Sequence, residues 1–367
     1  MAETDSTIPE RKQEIKTPTL RGKKRKFWKD YVLPKAAFFV RGFPDKAVVS
    51  IDVTNKCNIR CKHCYFFAYE QDKELKPAEW LAKLEELKKD GFPFRSATWV
   101  GGEPLLRKDL IEIGRKYFMF NIVVTNGTHG LPNWPDVMFH ISVDGTEAYH
   151  DDIRGKGVYQ KIKKTVAEAA DGTHISLATC LNKRNLSCME DLLAEWYPNP
   201  KVKSILLDFF TPVKGVKHDL FIPFEEQDKI IDRIIELKRT KYGDFIGVSE
   251  RVLNLMRKKE RHKAIGDNCI FLQKGHSFDP MGNKKAQCMM GADADCERCG
   301  CIVPFYLKQR TERKYILQEV WGDIKDLFTR KNQYTHLPPP VFQDPKAGLA
   351  PEPTPLDNPT KVANSQE

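Results

Sequence analysis

The sequence predicts an α/β fold built on a parallel sheet, and three observations predict it. Six short β-branched runs recur between residues 47 and 210, helical patterns separate most of them, and polar or glycine residues close several of them. "AVVSIDVT" (47–54) opens the series as a strand bounded by polar residues. "PAEWLAKLEELKKDG" (77–91) reads as a helix: Pro77 suits the first turn, Trp80, Leu81, Leu84 and Leu87 share a face, and Gly91 stops it. "SATWVGG" (96–102), "NIVVTNG" (121–127), "VMFHISVDG" (137–145), "HISLATCLN" (174–182) and "VKSILLDFF" (202–210) follow as strands. "GVYQKIKKTVAEAADG" (157–172) is a helix between two of them. Such alternation implies a sheet buried on both faces, open or curled into a barrel. In parallel folds the ligand lies beyond the carboxyl ends of the strands. Asn55, Cys57, Gly101–Glu103, Thr125, Asn126 and Asp144 are therefore expected at one mouth. After the amphipathic helix "FIPFEEQDKIIDRIIELKRTKYGDF" (221–245) the alternation stops, which puts a domain boundary near 245–265.

The chain has 367 residues, 41% hydrophobic and 30% charged, enough for one large core or two moderate ones. It holds no run of eighteen apolar residues and begins without the apolar stretch of a secretory signal. Its ten cysteines then point to reduced thiols or metal ligands, and a cytoplasmic location is expected. Residues 1–46 form a basic extension with twelve Lys and Arg against six acids. Within it, 21–43 joins cations to Phe27, Trp28, Tyr31, Phe38 and Phe39. That segment reads either as an interfacial helix in peripheral contact with a membrane or with nucleic acid, or as a solvated tail and a packing helix. The Pro-rich end of 311–367 is expected to be disordered.

"CNIRCKHC" (57–64) crowds three thiols into eight residues. Zinc would want a fourth ligand, and His63 is adjacent to Cys64 in a tight loop. A 4Fe–4S cluster on three cysteines would leave one iron for a non-protein ligand. Either metal fits the spacing, the cluster better. The motif, directly after a first strand, resembles the C-x-x-x-C-x-x-C signature of the radical S-adenosylmethionine (radical SAM) enzymes. "TWVGGEPLLR" (98–107) looks like the family's GGEP segment. "ISVDGTEAYHDDIRG" (141–155) resembles its SxDG…HDxxRG segment, and "TNG" (125–127) its third-strand end. The resemblance spans about residues 47–215.

It implies a partial (β/α)6 barrel over 47–245. Cys57, Cys61 and Cys64 would hold a catalytic 4Fe–4S cluster whose fourth iron is chelated by the amino and carboxylate groups of S-adenosylmethionine. Reductive cleavage of that cofactor would give methionine and a 5′-deoxyadenosyl radical. Gly101, Gly102 and Glu103 would serve the ligand's ammonium, Ser142, Asp144 and Arg154 its ribose and carboxylate, and Tyr65 would lie near the adenine. A reducing partner such as flavodoxin or ferredoxin is implied. Lys62 and His63 read as loop filler, and Cys180 and Cys188 as small buried hydrophobes.

A second cysteine group, "DNCIFLQKGHSFDPMGNKKAQCMMGADADCERCGC" (267–301), allows zinc or iron–sulfur by spacing alone. It resembles the SPASM and twitch extensions, with Cys269, Gly282 and Cys288 in their places and Cys296 and Cys299 completing four ligands. The Gly282–Cys288 gap is one residue longer than the commonest pattern. Cys301 would be spare or replace Cys299. The resemblance implies one auxiliary 4Fe–4S cluster in a small cysteine-rich domain over 246–310. The substrate is expected to be a peptide or, given the basic aromatic segment, a lipid or isoprenoid. The competing reading is a non-catalytic zinc protein with an RNA-binding tail; nucleic acid is otherwise not expected as a partner.

Overall fold

The computed structural model describes residues 33, 44–66, 73–213, 219–285, 288–318 and 321. Apart from Leu33, the basic aromatic segment 21–43 lies outside the described residues, as does the Pro-rich tail.

Seven parallel strands form one sheet in the order β6-β5-β4-β3-β2-β1-β7. The strands are β1 (Val48–Asp52), β2 (Ser96–Val100), β3 (Phe120–Thr125), β4 (Val137–Ser142), β5 (His174–Leu181), β6 (Val202–Phe209) and β7 (His276–Phe278). Between them run α1 (Pro77–Lys89), α2 (Lys108–Gly114), α3 (Glu147–Arg154), α4 (Val158–Glu168), α5 (Met189–Trp196), α6 (Phe224–Leu237), α7 (Glu250–Leu255) and α8 (Ile270–Lys274), and α9 (Ile302–Thr311) follows β7. The first six strands pair strictly in chain order. Crossovers between sequential parallel neighbours are right-handed as a rule, which puts the connecting helices on one face and lets the sheet curl as in a barrel.

Strand alternation shows which face that is. Val49, Ile51, Ala97, Trp99, Val123 and Phe139 pack against Trp80 and Leu84 of α1 and Leu110 and Ile111 of α2. Ile141, Ile175, Leu177, Ile205 and Leu207 pack against Ile162 of α4, Leu192 and Leu193 of α5, and Ile231 and Ile234 of α6. The other residues of the same strands, among them Ser50, Asp52, Ser142, Cys180 and Asp208, face the concave side by the period of two. A hydrophobic outer layer thus fixes the strands, and the inner face is left to polar groups.

The six expected strands all form, and the segment after 245 adds a seventh: β7 pairs with β1 in parallel, Ser50 opposite Ser277. The cysteine-rich segment is therefore continuous with the sheet. Gly300 packs on β6 as well, where the Phe209 N–H donates to the Gly300 carbonyl at 3.1 Å. The helix expected over 221–245 ends as an α-helix at Leu237 and continues as a π-helical turn over Lys238–Tyr242.

Candidate functional site

The cysteine loop leaves β1 at the carboxyl edge of the sheet and is fastened from two sides. Below it, the Gly102 N–H donates to the Thr54 carbonyl and the Glu103 N–H to the Lys56 carbonyl, both at 2.8 Å. A Cβ on Gly102 would stand 2.2 Å from the Lys56 oxygen, and one on Gly101 (φ +129°) 2.6 Å from the Thr54 oxygen. The glycines expected to admit a ligand thus admit the base of the loop. Beside the loop, the Lys62 N–H donates to the Ile153 carbonyl at 2.9 Å, Lys62 Nζ pairs with Asp152, and His63 Nε2 meets Asp144 Oδ2 at 2.9 Å. Lys62 and His63 are therefore tethers, not filler. Their partners on β4 and α3 are remote in sequence, and only the fold brings them near.

Cys57, Cys61 and Cys64 are half-buried, and each sulfur faces at least one N–H donor. Asn126 Nδ2 lies 3.8 Å from Cys57 Sγ, Arg154 Nη1 3.8 Å from Cys61 Sγ, and the Phe66 N–H 3.4 Å from Cys64 Sγ. Burial pushes the Cys61 thiol up to about 11 against the opposing pull of Arg154. Burial raises Cys57 in the same way. Such thiols stay protonated until a metal displaces the protons.

Asp144 is fully buried and its carboxylate is taken up by protein groups. Oδ2 binds Arg154 Nε at 2.6 Å and His63, and Oδ1 accepts from the Cys180 N–H at 3.0 Å. Burial alone would raise this carboxyl, but Arg154 and His63 hold it well below the usual range. The Asp144 N–H donates to His150 Nδ1 at 3.1 Å, which requires a neutral ring, and burial lowers His150 to about 4. Glu103 is buried too: Oε1 accepts from the Leu105 N–H and Thr125 Oγ1, and Oε2 from the Asn126 N–H. A carboxylate has about four acceptor positions, so Glu103 keeps one open. Ser142 ends β4 half-buried. Arg154 has only 11% of its side chain exposed and is not a surface ion pair. Tyr65 lies within electrostatic reach of Asp52, Cys64, Cys288 and Cys301, between the two cysteine groups.

Cys269, Cys288, Cys296, Cys299 and Cys301 line one cavity together with Met289 and Met290. Gly282 (φ +73°) sits in the turn after β7, where a Cβ would press on Leu75 at 2.9 Å. Burial pushes Cys299 up to about 12 and Cys301 well above the usual thiol value. Cys301 is also within electrostatic reach of Asp208 and Cys180 on the inner face of the sheet. Sequence reasoning missed Asp208, which lies opposite Cys180 in register, and Lys285, whose Nζ reaches Asp52 Oδ2 at 2.7 Å. The period of two in β6 was the available signal for Asp208; nothing local marks Lys285.

A single zinc needs its sulfurs about 2.3 Å from one point. Among the described residues no three His, Cys, Asp or Glu side chains converge in that way. Three thiols on one loop, with an N–H aimed at each sulfur, suit a cluster, whose sulfurs take such hydrogen bonds.

Residues 51–195 match the model of the Radical SAM superfamily. The chain is 31% identical over 174 residues to Pre-heme d1 synthase of Dinoroseobacter shibae, covering 44% of this chain and 42% of that protein. It is 30% identical over 215 residues to Fe-coproporphyrin III synthase of Methanosarcina barkeri, covering 53% and 52%. It thus spans about half the length of the curated relatives it matches. The fold is similar to that of Streptococcus suis SuiB bound to S-adenosylmethionine, with a TM-score of 0.54 at 13% identity over 79% of this chain and 70% of that one. Residues 51–195, which carry the cysteine loop at the sheet mouth, thus match the radical SAM superfamily.

Proposed function

We propose that this protein is an enzyme that holds a 4Fe–4S cluster on Cys57, Cys61 and Cys64 and cleaves S-adenosylmethionine reductively at the sheet mouth. The observation that carries this reading is the set of three thiols at the strand ends, each met by at least one N–H donor. When bound on Cys57, Cys61 and Cys64, the cluster would supply one-electron reducing power for the cleavage of S-adenosylmethionine. The chain's own residues do the positioning. The three thiols give up their protons as metal binds, so loading is favoured as pH rises. Gly101 and Gly102 seat the loop against β2, and the open acceptor position of Glu103 receives an ammonium group. Ser142, half-buried at the end of β4, would bond a ribose hydroxyl.

The second cavity is proposed to hold an auxiliary 4Fe–4S cluster on four of its five cysteines. Its closeness to Tyr65 and Asp208 suits a role in electron transfer or in holding substrate. The relatives' names add a tetrapyrrole to the peptide already expected as substrate. The lipid reading rested on 21–43, outside the described residues. Metal analysis and Mössbauer spectra after anaerobic purification test the reading. It expects 4Fe–4S signals; stoichiometric zinc without iron would refute it. Coproporphyrin III and short peptides, added separately, should then be compared for stimulation of 5′-deoxyadenosine release.

A further inference from the structure

Arg154 is the last residue of α3, and its guanidinium points in two directions at once. Nε binds Asp144 Oδ2 at 2.6 Å, and Nη1 lies 3.8 Å from Cys61 Sγ. The same carboxylate oxygen holds His63 Nε2 at 2.9 Å, and His63 lies between the second and third cysteines of the loop. One buried oxygen thus fixes both the loop and the helix end that carries the arginine. The Lys62 N–H to the Ile153 carbonyl, at 2.9 Å, adds a backbone tie beside it. The separation of Arg154 from Cys61 is therefore set twice.

This arrangement bears on what Arg154 does. A two-point clasp on a ligand carboxylate uses an edge of the guanidinium fork. Here Nε is taken by Asp144 and Nη1 is turned to sulfur, so a side-on clasp would compete with the Asp144 contact and an end-on clasp with the Cys61 contact. A cation donating to a cluster sulfur favours the more negative, reduced state, and hydrogen bonds to sulfur are among the levers that set cluster potentials.

We propose that Arg154 raises the reduction potential of the cluster on Cys57, Cys61 and Cys64 through its contact with Cys61 Sγ, with Asp144 and His63 as positioning residues. The inference rests on the functional reading above, since it needs that cluster. The test is an EPR-monitored redox titration of the reconstituted full chain without S-adenosylmethionine. At the potential where the wild-type cluster is half reduced, Arg154→Gln should lower the reduced-to-oxidised ratio about tenfold, which for one electron is about 59 mV. Arg154→Lys keeps the charge and should recover part of the shift. His63→Leu should move the potential in the same direction with Arg154 intact, and His63→Gln, which can still donate to Asp144, should restore it. If Arg154→Gln loads no cluster, the two His63 variants decide the matter alone. Wild-type potentials in the loaded variants overturn the inference. So does weaker binding of S-adenosylmethionine in Arg154→Gln at an unchanged potential, which would assign the arginine to the ligand carboxylate. A wild-type protein that takes up no 4Fe–4S cluster overturns the functional reading, and is distinguishable from both.

Discussion

A Cβ at position 102 would overlap the Lys56–Cys57 peptide, which as backbone cannot swing aside like a flexible side chain. Gly102→Ala must therefore push the base of the cysteine loop off β2. Reconstituted Gly102→Ala should lose most of the iron of the first site and keep about four irons at the second, where a 4Fe–4S cluster is separately held. Full loading of both sites would show that the loop tolerates the shift. Asp208 gives a second prediction at this level. Burial, with Asp144 adding to it, pushes its carboxyl up to about 8. The folded chain then keeps a proton that the unfolded chain releases near pH 4. The stability this contributes is complete below the unfolded value and is lost as pH rises through the folded one. Asp208→Asn removes the titration, so its Tm relative to wild type should rise steadily between pH 5 and pH 8. A constant gap would mean the carboxyl is ionised in the fold.

Among the elements, β7 and its turn connect the two cysteine groups. Lys285, just past the turn, sends Nζ to Asp52 Oδ2 at the end of β1 and to the Met289 carbonyl beside Cys288. Asp52 is buried, so Lys285→Met leaves a carboxylate without its counter-charge. Breaking a buried pair from one side costs about 3–5 kcal/mol. Urea unfolding of the loaded protein should show a loss of that order, and adding Asp52→Asn should return part of it. No loss would mean that β7 is held by its ladder alone. The first six strands were legible in the sequence because each is a short run rich in β-branched residues, set off from its neighbours by helical patterns or turn residues. The three residues of β7, "HSF", carry no such pattern, and their place depends on the free edge of β1. The end of α6 was misplaced because apolar spacing continues into the π-helical turn through Tyr242.

Across the whole molecule, one curled sheet brings both cysteine groups to the same side, with Tyr65, Cys180, Asp208 and Cys301 near where they approach. The cysteine spacings and glycine pairs were readable as motifs because they are local. The tether from His63 to Asp144 and the aim of Arg154 at Cys61 were not, since each depends on how β4 and α3 stand against the loop. With both sites loaded, wild-type protein should carry about eight irons per chain, and the variant with Cys57, Cys61 and Cys64 all changed to Ala about four. Iron lost from both sites would show that the second cavity is assembled only with the first. The most direct measurement is turnover. Anaerobically reconstituted protein given dithionite and S-adenosylmethionine should release 5′-deoxyadenosine or a deoxyadenosyl adduct, and the triple cysteine variant should release none. Undiminished cleavage by that variant would contradict the assignment of the site.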